Sequence, residues 1–448
     1  MADVRDALVR GDCADAMAEL EQRDPADRNK MLHLCEMGAL CNAMGNYKSS
    51  NQALLAGVNI ARGYDERARV SLRNSAAFAA ALALNDRTIP YRGSPFERVM
   101  MHTYLATNFL LLHDLEGARV EILRAYAVQK QLREEHEKRI ARTKEEASKR
   151  NANMGGIMNK VSENFRDQRA LLKKAGNVYQ NAFTYYLSAL VYELGDETDD
   201  AYIDYKTVHA LNPDFRPAWT DLLRCSKKLG ARGDYADWRE RFGSGVPEDI
   251  PAGHGEVVVL YQCGLAPEKE EIRFVVPIPV NKRIHPVHIA FPKYKRQPNP
   301  VTRARLRLNG REAGTTYPLV DLEATAVRDL WDQAPEIALR AALRAAGRVA
   351  SAEAARKQKH GEFAMLGVFL AGAVLDRADL RSWLTLPRDI QVLRVSAPAG
   401  TYEMGLELLG GGSVAVTPLE NVPVRAGRIT LVHLRSVGIH GKADYVAF

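Results

Sequence analysis

Residues 185–213 read YYLSALVYELGDETDDAYIDYKTVHALNP. Small residues and aromatics recur at helical spacing, a Gly-Asp pair interrupts them, and a proline closes the stretch. Two antiparallel helices joined by a short turn need small residues where they cross and large ones to fill the flanks, which is the tetratricopeptide arrangement. Tyr185, Ala189 and Tyr192 take the first-helix positions, and Ala201, Tyr205 and Val208 take the second-helix positions. Gly195-Asp196 is the expected turn and Pro213 the stop.

The same template fits two upstream stretches. In HTYLATNFLLLHDLEGARVEILRAY, Ala106, Phe109, Ala118, Ile122 and Ala125 occupy the corresponding positions, with His113-Asp114 at the turn. A looser fit uses Gly38, Cys41, Gly45, Ser50 and Leu54, and the initial ALVRGDCADAMAELEQRDP reads as a preceding second helix of a truncated unit. Three units are the usual minimum for a stable array. One insertion stands out. Residues 128–150 carry eight Lys/Arg against five Asp/Glu with few apolar positions. NANMGG breaks that helix and residues 157–179 read as its return, with a thin seam through Leu132, Ile140, Ile157, Val161, Phe165 and Leu172. The pattern predicts an arm over 128–179 that projects from the body, with a mobile tip, and that either stays solvated or docks a partner or an anionic surface.

The chain then changes character. Only five of its twenty prolines precede residue 246, and β-branched runs bounded by Gly and Pro take over from Gly255. The expectation is a fold of the multidomain α+β class: a tetratricopeptide-like helical array over 1–245 and a β-sandwich-like domain over 246–448. Strands are expected in EVVVLYQ, EIRFVVPIPV, VHIAFPKY, ARLRLNG, DIQVLRVSA, GTYEMGLELL, SVAVTPL and GRITLVHLRS. The alternation in TYEMGLEL and RITLVHLR predicts half-buried antiparallel strands. A helical insertion is expected over about 320–380, ending in the apolar run FAMLGVFLAGAVL at 363–375, which is too short to span a bilayer and reads as a buried helix, with an amphipathic membrane contact as the alternative.

Chemistry-bearing patterns are sparse. The net charge of +7 comes from interleaved basic and acidic residues, and the basic stretches lack the aromatic interleaving of single-strand nucleic-acid binders, so no nucleic-acid partner is expected. The five cysteines form no CxxC pair, which removes zinc-ribbon and thioredoxin-like signatures. His285 and His288 sit three apart in an extended stretch, on opposite faces, so no metal site is expected. There is no phosphate loop and no GxSxG elbow. The acidic DETDD stretch at 196–200 reads as helix-start capping, and EKEE at 268–271 as a polar turn. No catalytic residues, cofactor or metal are expected.

Several phrases together resemble a family of Gram-negative bacterial envelope lipoproteins with tetratricopeptide-like repeats. They are IPYRGSPFERVMMHTYLATNFLLLHDLEGARVE, the stretch quoted first, VVLYQCGLAPEKEE and RSWLTLPRDIQVLRVSAPAGTYEM. The resemblance implies an exported protein tethered to the inner face of the outer membrane, with no catalytic residues. The signal peptide and lipid-bearing cysteine that go with such a tether do not appear in MADVRDALVRGDCADAM, so the expectation is a mature portion or a misplaced start. The alternative is a cytoplasmic adaptor.

The functional expectation is therefore a non-enzymatic envelope scaffold holding a protein or peptide partner. An envelope enzyme, or an activator of one that works on cell wall or lipid, is the competing class, with a deep polar pocket between the two halves as its mark. Repeat arrays bind along a concave face made by their first helices. Helical spacing places Thr103, Thr107, Tyr186, Leu190 and Glu193 on that face, with packing against a neighbouring element as the alternative for Tyr186 and Leu190.

Overall fold

The computed structural model describes residues 1–73, 89–149, 154–280, 283–296, 299–356, 377–410 and 415–448. Its helical half is built from hairpins. They pair α1 (Ala2–Val9) with α2 (Cys13–Glu21), α3 (Lys30–Ala43) with α4 (Tyr47–Arg73), and α5 (Pro95–Leu111) with α6 (Leu115–Lys149). After the short α7 (Gly155–Asn164) and α8 (Arg169–Lys174) come α9 (Ala182–Leu194) with α10 (Thr198–Leu211), and α11 (Arg216–Lys228) with α12 (Arg232–Phe242). Every one of these turns contains a residue in the left-handed region: Gly11, Gly45, His113, Asp196 and Gly230, with φ of 84°, 76°, 62°, 60° and 67°. Glycine adopts that conformation without steric cost, and Asp and His tolerate it. In the 185–213 unit Gly195 and Asp196 make the turn as expected, and Asp196 is the one that adopts the left-handed conformation.

Small residues set the helix spacing as the template requires. A Cβ on Gly38 would lie 2.5 Å from Leu54 Cγ, so α3 and α4 approach closely only with glycine there. Ala106, Ala118, Ala189 and Ala201 are fully buried. At the first hairpin the expectation of a lone second helix is corrected. Residues 2–21 form two helices, because Gly11 permits a turn after Val9 and Asp12 caps Asp15 N at 2.8 Å.

The strands begin at His254. A five-stranded sheet runs in the order β11-β10-β1-β7-β6, formed by β1 (His254–Cys263), β6 (Tyr317–Asp321), β7 (Asp389–Pro398), β10 (Ile429–Val437) and β11 (His440–Ala447). A four-stranded sheet runs β5-β4-β8-β9, formed by β4 (Arg303–Leu308), β5 (Arg311–Thr315), β8 (Gly400–Leu409) and β9 (Ala415–Val424). A separate hairpin, β2 (Glu268–Val280) with β3 (Arg283–Lys295), takes in the EKEE residues expected to be a turn. Helix α13 (Leu322–Arg356) follows β6. The apolar run at 363–375 lies outside the described residues.

The two sheets face one another across Val257, Val259, Tyr261, Leu393, Val432 and Leu434 on one side and Leu306, Met404, Leu406, Leu408 and Val422 on the other. The opposite face of the five-stranded sheet, through Val258, Leu260, Ile390, Val392 and Leu431, joins a core continuous with α3–α6, α9–α11 and α13. The molecule is thus layered as helices, sheet and sheet. The central position explains β1: strands covered on both faces read as unbroken apolar runs such as VVVLY. It also corrects β10, expected to be half-exposed: all nine of its residues are buried. The strand is antiparallel to β11, as expected, but parallel to β1, with Val258 opposite Leu431. Its polar alternates meet the protein instead of water. The Arg435 guanidinium donates to the carbonyls of Gln262, Gly264, Thr385 and Ser436 at 2.6–3.2 Å.

The arm does not project. Ile157, Val161 and Phe165 are 0–1% exposed and belong to the main core. Phe165 meets Phe291 of β3 and Trp331 of α13 at ring-centroid distances of 6.2 and 5.7 Å. Arg139 of α6 pairs with Glu336 of α13 at 2.8 Å. The sparse seam is apolar enough because three surfaces share it: returning helix, hairpin and α13. Side chains of this size each contribute about 1.5–3 kcal/mol on full burial.

Candidate functional site

The five residues expected to line a groove are not available to a partner. Thr103 is 1% exposed, and its hydroxyl contacts Val99 O at 3.0 Å and Thr184 Oγ1 at 2.7 Å. Thr107 is fully buried and donates to Thr103 O at 2.8 Å. Tyr186 is enclosed edge-on by Tyr205 and Phe215, at 5.7 and 5.6 Å, and Leu190 is fully buried beside it. The packing alternative holds for both. The reason is that α9 lies against α5, and the five-stranded sheet covers what would be the open face of the array.

Glu193 has a different role. The Arg394 guanidinium from β7 reaches it through both nitrogens, at 2.8 and 2.9 Å, and grips Glu256 of β1 at 2.5 and 2.7 Å. Asp221 of α11 lies 3.2 Å from Arg394 and 3.1 Å from Arg224, which also pairs with Glu193. Burial opposes ionisation of Glu193, but Arg394 and Arg224 outweigh it and hold the carboxyl far below the usual range. Burial dominates at Asp221 and lifts it to about 6. Charge-assisted, bidentate bonds of this kind fix geometry as well as energy, so the cluster fastens the repeat helices to the sheet.

A second fastening holds the segment before β7. Glu36 of α3 accepts from Leu384 N at 2.8 Å, Thr385 N at 3.0 Å and Thr385 Oγ1 at 2.5 Å. Glu97, the third residue of α5 in a Ser94-Pro95-Phe96-Glu97 capping box, accepts from Ser94 N and from Trp383 N, both at 2.7 Å. Burial raises the Glu36 carboxyl to about 7 despite those donors.

An open concavity lies elsewhere. A cavity of about 1000 Å³ separates the distal part of α6 from α13, floored by the 89–95 loop, β3 and residues 378–381. Two acid-centred clusters border it. Asp65 receives Arg98 at 2.7 and 3.0 Å and Arg92 at 3.2 Å. Glu336 receives Arg139 at 2.8 and 3.0 Å and Arg340 at 2.7 Å. Burial opposes ionisation of Glu336, yet Arg139 and Arg340 hold it down at about 2. Burial, then repulsion from Arg139, pulls Arg92 below its ordinary value. Lys144 stands exposed on the rim. Leu132, Ile140, Leu330 and Ile337 supply apolar wall, and the Thr143 and Tyr179 hydroxyls are buried there without hydrogen-bond partners.

The polar pocket that would mark an enzyme is thus present in position. Its four lining carboxylates all meet arginines: Glu135 faces Arg92 at 3.8 Å, Asp332 Arg328 at 3.0 Å, Asp379 Arg381 at 2.7 Å, and Glu336 the pair already described. Sequence reading missed Arg92, Tyr179 and Arg340, which come from separate segments. The one legible signal was the basic excess of residues 128–150.

No family model matches the chain, and no curated protein matches it. Among solved structures, a crystal structure of MamA shares 14% identity at a TM-score of 0.31, over 53% of this chain and 90% of that one. The TPR2AB domain of yeast Sti1 in complex with pHSP90 shares 12% identity at a TM-score of 0.19, over 53% of this chain and 86% of that one. A tetratricopeptide repeat protein from Parabacteroides merdae shares 11% identity at a TM-score of 0.13, over 49% of this chain and 94% of that one. These likenesses are weak, and the repeat reading rests on the recurring hairpins and their left-handed turns.

Proposed function

We propose that this chain is a non-enzymatic scaffold of the cell envelope, and that its protein or peptide partner enters the cleft between α6 and α13. The observation that carries this reading is the contrast between the two concave surfaces. The inner face of the repeats is filled by the chain's own sheet, whereas the α6–α13 cleft is open and mixes apolar wall with charge. A carboxylate held at about 2 between two arginines is a poor proton donor or acceptor near neutral pH, which favours binding over catalysis there. The envelope placement rests on the sequence resemblance, and membrane fractionation of the expressed gene tests it separately.

Photocrosslinking tests the site. A benzophenone side chain in place of Lys144 is expected to capture a discrete partner in cells, while the same group in place of Val416, an exposed residue on β9, captures none. Equal capture from both positions, or none from Lys144, overturns the assignment.

A further inference from the structure

Three donors from separate segments line the cleft without acceptors. Thr143 of α6 is 3% exposed and Tyr179, just before α9, is 8% exposed; both line the cavity, and neither hydroxyl has a hydrogen-bond partner. On the 89–95 loop, Arg92 turns one terminal nitrogen to Asp65 and Glu135, at 3.2 and 3.8 Å, while its buried Nε donates to nothing. Buried polar groups are nearly always satisfied in folded proteins, so three such groups around one cavity mark the place of a ligand with acceptor atoms.

Charge does not select that ligand. Each lining carboxylate, Glu135, Asp332, Glu336 and Asp379, already meets an arginine. Burial, then Asp329 and Asp332, pushes the Tyr179 hydroxyl above its ordinary value, so these acids stand near it. An anion accepting from Tyr179 would be set against Asp332, whereas a neutral carbonyl oxygen would not. The two helical walls add apolar surface, through Leu132 and Ile140 of α6 and Leu330 and Ile337 of α13. Neutral acceptors recurring along an apolar ligand are what the main chain of an extended peptide supplies. Main-chain hydrogen bonds give such a complex affinity, and side-chain niches give it specificity. The volume of about 1000 Å³ sits at the upper end of the roughly 300–1,000 Å³ typical of ligand pockets, enough for a short segment.

We propose that the partner segment seated in this cleft is an extended, uncharged peptide whose main-chain carbonyls accept from Tyr179, Thr143 and Arg92 while its apolar side chains cover the helical walls. This rests on the cleft being the partner site.

Fluorescence anisotropy on the full chain tests it with a rhodamine-labelled, end-blocked peptide alternating leucine and glutamine, against leucine–glutamate and leucine–lysine peptides. The glutamine peptide is expected to bind tightest, with little loss of affinity as salt rises. Tyr179→Phe and Thr143→Val each remove one donor that has no partner within the chain. Each is expected to lower affinity about five-fold with the melting temperature unchanged. Tighter binding of either charged peptide, no binding of the glutamine peptide, or unchanged affinity in both variants overturns the proposal. Crosslinking from position 144 separates the two levels. Capture that the glutamine peptide does not compete rejects the main-chain mode and keeps the site, whereas no capture rejects the site.

Discussion

Replacing Arg394 with methionine leaves a side chain of similar length and takes away the one guanidinium that joins β7 to both Glu193 and Glu256. Glu193 keeps Arg224, but Glu256, 7% exposed, loses its bidentate partner, and Asp221 loses one of its two cations. Removing one member of a buried ion pair costs about 3–5 kcal/mol, because the abandoned charge stays desolvated. A globular fold has about 5–15 kcal/mol in total, so the variant should stand close to unfolding. Urea titration followed by tryptophan fluorescence measures the loss. Trp219 and Trp238 report on the last hairpin, while Trp331 and Trp383 report on α13 and the clamped segment. Adding Glu256→Gln removes the stranded charge and should recover part of the stability. A loss below about 1 kcal/mol in Arg394→Met, a value usual for exposed pairs, would refute the claim that this network fastens the helices to the sheet.

Asp329 is buried and its carboxyl is pushed up to about 7 by burial. The native state then holds a proton that the unfolded chain releases near pH 4, so its contribution falls as pH rises from about 4 to 7. Asp329→Asn should therefore gain stability relative to the parent between pH 5 and pH 8, on the order of a few kcal/mol, and parallel melting curves at both pH values would contradict it. Glu36→Ala strips three donors of their acceptor and should speed amide exchange at Leu384 and Thr385, while exchange in α12 stays unchanged. Gly38→Ala should cost about 1–3 kcal/mol through overpacking, with Leu54→Ala in the same chain relieving part of it; an unaffected single variant would remove the close-approach argument. Replacing residues 131–173 by a short flexible linker should abolish cooperative folding, because Ile157, Val161 and Phe165 leave the main core. A cooperative, native-like melt would reinstate the projecting arm.

Local chemistry made much of the helical half legible. Ala189, Ala201 and the aromatics around them mark a crossing of two helices whatever lies beyond, since the spacing acts within one unit. The strands at β1, β4, β7 and β8 were legible for the same reason. Others were not: β5 and β6 have only five residues each, and β11, HGKADYVA, has too few apolar positions for a period to register. The last hairpin, α11 with α12, was also missed, since its charged second helix buries none of its residues fully.

The sequence by itself determined which segments coil and which extend, where helices give way to strands, and that the arm segment carries surplus positive charge. Those properties depend on neighbours within a few positions. Which face meets which partner was decided only by the tertiary structure. Glu193 reads as a groove residue until Arg394, two hundred positions away, is seen to hold it. RITLVHLR alternates like a strand with one wet face until the helical layer covers that face. The cleft forms where α6 and α13, nearly two hundred residues apart, are joined by Arg139 and Glu336. Burial is a property of pairs of surfaces, and a sequence states only one surface at a time.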